Sequence, residues 1–163
     1  MDLAVLFKVA HAVLGVWIIA AVVGRWVTLD KAAASQDLRA VHTLLDASER
    51  FERWARQIPT IVLVLGILTA VFQSRPVLGP LQGAPVDWLF VSLVVYLSVI
   101  PWIPLVFLPK GRVFAAALAR ADEGGRVTPE LTAAFHDRTV FAGHVYEIAA
   151  LVTVFVLMIT KPF

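Results

Sequence analysis

The sequence predicts an all-α fold: a four-transmembrane-helix bundle with an amphipathic cytoplasmic helix in its first loop. Three observations lead there. Of the 163 residues, 60% are hydrophobic and only 16% charged. Helices apolar on every side belong in a large core or in lipid, and one domain of this length cannot bury several in its own interior. The chain also holds four apolar runs close to the length a helix needs to cross hydrocarbon. Its basic residues, finally, are crowded into two of the connecting loops.

The first run covers residues 3–28. A cleaved signal peptide is the rival reading, helped by the small residues of "KAAAS". Asp2 spoils a basic leading region and the apolar run exceeds that of a signal peptide, so the segment reads as a span. In the loop that follows, Leu38, Val41, Leu45, Phe51 and Trp54 recur at roughly helical spacing between charges. They predict an amphipathic helix on the cytoplasmic membrane surface. The second span, residues 58–73, is short and has Pro59 in its first turn, where a missing N–H is harmless. "SRPVLGPLQGAP" is a Pro/Gly-rich connector.

The third span covers residues 88–108, and Pro101 and Pro104 remove backbone donors that should kink its cytoplasmic half. In the third loop "DEGG" stops a helix and "TPEL" starts another, with Thr128 as its cap and Pro129 at its first position. That helix is expected to run on into the fourth span, residues 140–160. Helix is the default for every span because a lone strand leaves its backbone polar groups unpaired in lipid.

Charge sets the orientation. Arg25, Lys31, Arg39, Arg50, Arg53 and Arg56 flank or lie in the first loop, and Lys110, Arg112, Arg120, Arg126 and Arg138 in the third. The second loop has only Arg75 and the C-terminal tail only Lys161. Loops one and three are therefore expected in the cytoplasm, with both termini outside. The partner of most of the surface is then the lipid bilayer, with room for a homo-oligomer or a larger membrane complex. A net charge of +2 argues against nucleic acid, and the absence of cysteine excludes disulfides and thiolate metal sites. No phosphate loop, HExxH or nucleophile constellation is present.

Polar residues inside the spans are costly and mark candidate sites. Lys8, His11 and Gly15 follow one another at i, i+3 and i+7, so they share a helix face, with His11 roughly 12 Å below the outer surface. Ser92 and Tyr96 share a face of the third span at a similar depth. Such a face can hold a heme, with neutral His11 supplying an axial nitrogen and Gly15 leaving room beside it. The simpler alternative is a histidine bonded to Tyr96 or Ser92, with Lys8 snorkelling outward. In the inner half, His144 and Glu147 share a face of the fourth span, with Tyr146 nearby, and Arg25 lies at a depth that allows a pair with Glu147. That cluster reads either as a proton or charge relay or as an ion pair that fixes helix packing. His11 and His144 lie on the order of 12 Å apart in depth, too far to share an iron. His42 and His136 fall in polar loops and are expected to be solvated.

"KVAH" early in the first span, "WLFVSLVVY" and "WIPLVF" in the third and the ending "LMITKPF" carry a resemblance. The chain resembles a family of small bacterial four-helix integral membrane proteins of unknown function. More distantly it is similar to the HemJ-type protoporphyrinogen oxidases and the membrane domain of copper-resistance protein D. The HemJ-type resemblance implies that His11 ligates heme. The position corresponding to that family's functional third-helix lysine holds Ser92, which argues against the oxidase reaction itself. The leading expectation is thus a b-type heme on His11, within a shell of Lys8, Ser92 and Tyr96, with a redox or heme-linked role. The alternatives are a small transporter or proton-coupled permeation unit built on Arg25, His144 and Glu147, or an accessory subunit of a larger complex.

Overall fold

A computed structural model describes residues 2–163, which form helices joined by turns, with no strand among them. Helix α1 (Leu3–Ala34) starts on Asp2, whose carboxylate accepts from Ala4 N–H, and ends at Ser35. Only residues 35–37 separate it from α2 (Leu38–Phe72), which Asp37 caps. At 1.5 Å per residue these helices are roughly 48 and 52 Å long, well beyond the ~30 Å of a hydrocarbon core. The expected surface helix of the first loop and the second span are therefore one continuous rod. Pro59 lies inside it, not in a first turn, and leaves Ala55 without its usual amide partner.

The two rods form an antiparallel hairpin held in register along its length. Phe7 stacks on Phe72 at 5.4 Å near one end. Further along, Gly66 faces His11 and Gly24 faces Phe51 so closely that a Cβ at either glycine would lie 2.9 and 2.7 Å from the opposing ring. Both rings thus need glycine opposite them.

After a 3₁₀ turn at Gly79–Gln82, α3 (Trp88–Leu97) is capped by Asp87. It unwinds across residues 98–102 and re-forms as a wide π turn at Ile103–Phe107 before α4 (Leu108–Gly124). Pro101 and Pro104 are the cause, since neither supplies an N–H to the helical ladder. Gly125 adopts φ 62° to end α4. Thr128 caps α5 (Pro129–Phe135), and Asp137 caps α6 (Arg138–Thr160) with bonds from Thr139 and Val140. A break at His136 and Asp137 therefore separates two helices that the sequence reads as one.

Three of these stretches are long and apolar enough to cross a membrane: Leu3–Ala34, Leu38–Phe72 and Pro129–Thr160. Trp88–Leu97 is apolar but short. Buried residues are few. Ile18, Val22 and Leu151 join α1 to α6 with Tyr96 and Ala55 against them. Ala70, Trp88 and Leu89 close the end nearer the termini, and Ala117, Ala121 and Leu131 close the loop end. Meanwhile Val9, Val13, Trp17, Val64, Val71, Leu105 and Phe155 stay exposed. Apolar side chains on the outside of a helical rod are stable only against an apolar solvent.

Candidate functional site: an arginine shared by two carboxylates

Arg25 enters the bundle from α1 between Gly24, against which Phe51 packs, and Trp26. Its side chain is 9% exposed and meets two carboxylates from two other helices. Nη1 donates to Glu52 Oε2 of α2 at 2.7 Å, and Nη2 donates to Glu147 Oε2 of α6. Nη2 also lies 3.1 Å from His144 Nδ1. A guanidinium has only donors, so Nδ1 is the acceptor there and the imidazole proton sits on Nε2. Glu147 Oε2 is 3.6 Å from the same Nδ1. The Arg25 Nε is buried and has no partner among the described residues.

The π turn completes the site. Phe107 at its end stacks on His144 with ring centroids 5.0 Å apart, and the Arg25 guanidinium lies 5.9 Å from the same ring. Trp102 stacks on Tyr146 at 5.3 Å, and Ser98 Oγ and Tyr146 Oη are 2.6 Å apart. Gly143 makes this docking possible: a Cβ there would come within 3.0 Å of Phe107 and 3.2 Å of Trp102. The broken third segment thus rests on α6 through aromatic rungs. One positive and two negative charges leave the cluster at a net charge of −1 when His144 is neutral, and at zero when it is protonated. A buried arginine between two carboxylates has its charge compensated from two helices, which lets charge stay at this depth.

Lys8, His11, Ser92 and Tyr96 do not converge. His11 Nδ1 lies 2.9 Å from the Val62 carbonyl of α2, to which it must donate. Gly66 provides the gap for the ring. Tyr96 donates to the Pro59 carbonyl at 2.8 Å, and buried Ser92 donates to Trp88 of its own helix at 2.7 Å. Lys8 is exposed and makes no ion pair among the described residues. Neither hydroxyl bonds His11, so the simpler expectation of a His11–Tyr96 or His11–Ser92 bond is corrected: both side chains face backbone acceptors nearer to hand. A Cβ on Gly15 would meet nothing within 4 Å.

For a heme the donor set fits at one point. His11 is fixed through Nδ1 and keeps Nε2 as a lone pair, the arrangement axial histidines use. The expected shell does not gather around it. No group of three or more His, Cys, Asp or Glu side chains suited to a metal ion occurs among the described residues. His144 and His11 have separate partners and share no hydrogen bond. Of the loop histidines, His42 pairs with Asp122 at 2.7 Å and His136 is exposed.

Glu52 and Phe107 are site residues that the sequence reading missed. Glu52 looks like one charge among many on an amphipathic helix. The signal that finds it is the antiparallel register: with His11 facing Gly66, fourteen residues forward on α1 and fourteen back on α2 bring Arg25 opposite Glu52.

These helices and the charge-paired interior define a helical membrane protein with a polar site inside its bundle. The chain belongs to the family described as "Predicted integral membrane protein (DUF2269)", whose model matches residues 5–162. No curated protein and no solved structure matches it. The family supports the resemblance to integral membrane proteins of unknown function and does not extend to the HemJ-type oxidases or copper-resistance protein D.

Proposed function

We propose that this protein is a four-span, proton-coupled permeation unit of the bacterial inner membrane, with both termini outside and the Arg25–Glu52–His144–Glu147 cluster as its protonation site. Trp88 to Phe107 serves as the remaining span. Twenty residues of helix, turn and π turn reach roughly 30 Å if helical, and the amides of Ser98, Val99, Ile100, Trp102, Ile103 and Leu105 all find carbonyls within the segment. The breaks therefore leave few backbone groups bare to lipid. The crowding of Arg and Lys at the α1–α2 and α4–α5 ends favours that end as cytoplasmic.

The observation that carries the reading is the position of His144 Nδ1, 3.1 Å from a donor on Arg25 and 3.6 Å from an acceptor on Glu147. Neutral, it accepts from Arg25. Protonated, Nδ1 carries a hydrogen, is repelled by the guanidinium and donates to Glu147. One proton thus changes the partner of the ring and brings the cluster to zero net charge, while Glu52 keeps its hold on Nη1. Because Phe107 stacks on that ring, the change reaches the π turn, the least regular part of the span. The spare Nε of Arg25 is a donor for water or a polar solute. Proteoliposomes holding a pH-sensitive dye, given a potassium diffusion potential, test this. Proton entry is expected with the natural protein and lost with Glu147→Gln; entry unchanged in that variant overturns the reading. A reporter fused after Phe163 is expected on the external side.

One observation favours a second reading, a b-type heme with a redox or heme-linked role: the free Nε2 of a His11 ring anchored at Nδ1. Protein expressed with ample heme would then show a Soret band that His11→Ala removes. No band, or one that survives the substitution, ends that reading.

A further inference from the structure

Along the outside of the hairpin runs an apolar groove of about 630 Å³, lined by Val13, Val16, Trp17, Ala20, Phe51 and Trp54. Trp17 and Trp54 meet edge to face there at 5.4 Å, yet each remains 47% and 39% exposed. On α2 Arg50 stands four residues before Trp54 and shares its face, and Arg53 stands three residues after Arg50, so Arg50 neighbours both the groove tryptophan and the second arginine. Both arginines are exposed. Asp46 and Glu49 stand four residues before them, but neither forms an ion pair with them among the described residues, while Glu52 is committed to Arg25.

The polarity of the groove is directional. Arg50 lies about one helical turn, roughly 6 Å, from Trp54 toward the loop end of α2. In the opposite direction the lining passes along α1 from Ala20 to Val13, roughly 10 Å, with no charged side chain. Two unpaired guanidinia at one end of a tryptophan-walled, wholly apolar channel match one kind of molecule: a negative head on a hydrocarbon tail. We propose that this groove binds an anionic glycerophospholipid. Arg50 and Arg53 hold its phosphate, and one acyl chain lies along Trp54, Trp17 and Val13. Guanidinium groups suit a phosphate because their paired N–H donors match its oxygens. A second copy of the chain is the competing occupant, but it would have to bury both arginines against an apolar face.

The test uses the intact protein in bilayers of phosphatidylcholine doped with a brominated lipid, whose bromines quench nearby tryptophan fluorescence. Brominated phosphatidylglycerol is expected to quench at roughly thirty-fold lower mole fraction than brominated phosphatidylcholine, from about fivefold per arginine. In Arg50→Gln/Arg53→Gln the two lipids should quench alike. Arg112→Gln/Arg120→Gln, which removes equal charge from α4, should leave the preference in place. Equal quenching by both lipids in the natural protein, or a preference that the α2 double variant retains, overturns the proposal. So does quenching lost to chain–chain contact, read as a concentration-dependent dimer that excludes both lipids from Trp17 and Trp54.

Discussion

The two polar regions of this bundle, one around His11 and one around Arg25, solve the same problem in opposite ways. Around His11 the polar side chains inside the bundle each find a backbone carbonyl: Val62 for the histidine, Pro59 for Tyr96, Trp88 for Ser92. Around Arg25 the side chains satisfy one another across α1, α2 and α6. Neutral groups in lipid can end their search at the nearest helix backbone. Charged groups cannot, because only an opposite charge compensates their desolvation. The outer region is therefore a set of independent bonds, and the inner one is a unit.

The sharpest way to break the comparison is to remove the centre of that unit. Arg25→Gln leaves Glu52 and Glu147 facing each other without a cation and is expected to cost about 3–5 kcal/mol, the scale for orphaning a buried charge. Thermal unfolding in detergent would read this as a large loss of midpoint temperature. Adding Glu147→Gln to Arg25→Gln should restore much of it, since the second change removes the orphan. If the double variant instead shows the two losses added together, the residues do not act as a unit.

Next in size is Gly66→Ala. A Cβ at that position falls 2.9 Å from the His11 ring, so the ring must leave the Val62 carbonyl or the hairpin must part. A cost of about 1–3 kcal/mol follows from overpacking. The same variant in the His11→Ala background should cost little, because the clash partner is gone. An equal cost in both backgrounds would mean that Gly66 serves the backbone and not the ring.

How much of this was readable beforehand depends on whether a feature is local. Caps were legible: Thr128 and Pro129 start α5, and the glycines after Glu123 stop α4, because these effects act within one turn. The placement of Arg25 against Glu147 was reachable from depth and charge alone. The partners of His11 were not, since periodicity on one helix says which face is polar but not which helix covers it. Nor was the continuity of α2: the change from amphipathic to apolar at residue 58 is a change of solvent, and it looks the same in sequence as a change of element. Pro59 strengthened that misreading, although in a long helix its ring is tolerated at the cost of one hydrogen bond.

A smaller effect sharpens the claim of independence. Tyr96→Phe deletes one bond to Pro59 and leaves the ring packed beside Ile18 and Val22. It should cost about 1 kcal/mol, the net worth of a single hydrogen bond. Combined with Glu147→Gln, the losses should add within a few tenths, which coupling between the two regions would prevent.

The smallest effect lies outside both regions, and its smallness is informative. His42 and Asp122 pair at 2.7 Å across α2 and α4, a distance like that between Arg25 and Glu52. Distance alone would rank the two contacts as equals. The side chains of the first pair are each 45% exposed, however, whereas Arg25 is 9% and Glu52 37% exposed, and the second carboxylate on Arg25, that of Glu147, is 14% exposed. Water already solvates the loop pair before it forms, so its formation replaces good interactions with comparable ones. Asp122→Asn should therefore change the unfolding midpoint by the equivalent of about 0.5 kcal/mol or less, and added salt should weaken whatever ionic part that contains. Most of the Arg25→Gln penalty should persist in the same salt, because the guanidinium and Glu147, 9% and 14% exposed, are largely shielded from counterions. Should the two variants respond to salt alike, the inner cluster is open to water, and the contrast between the charged and neutral interiors of this bundle would have to be abandoned.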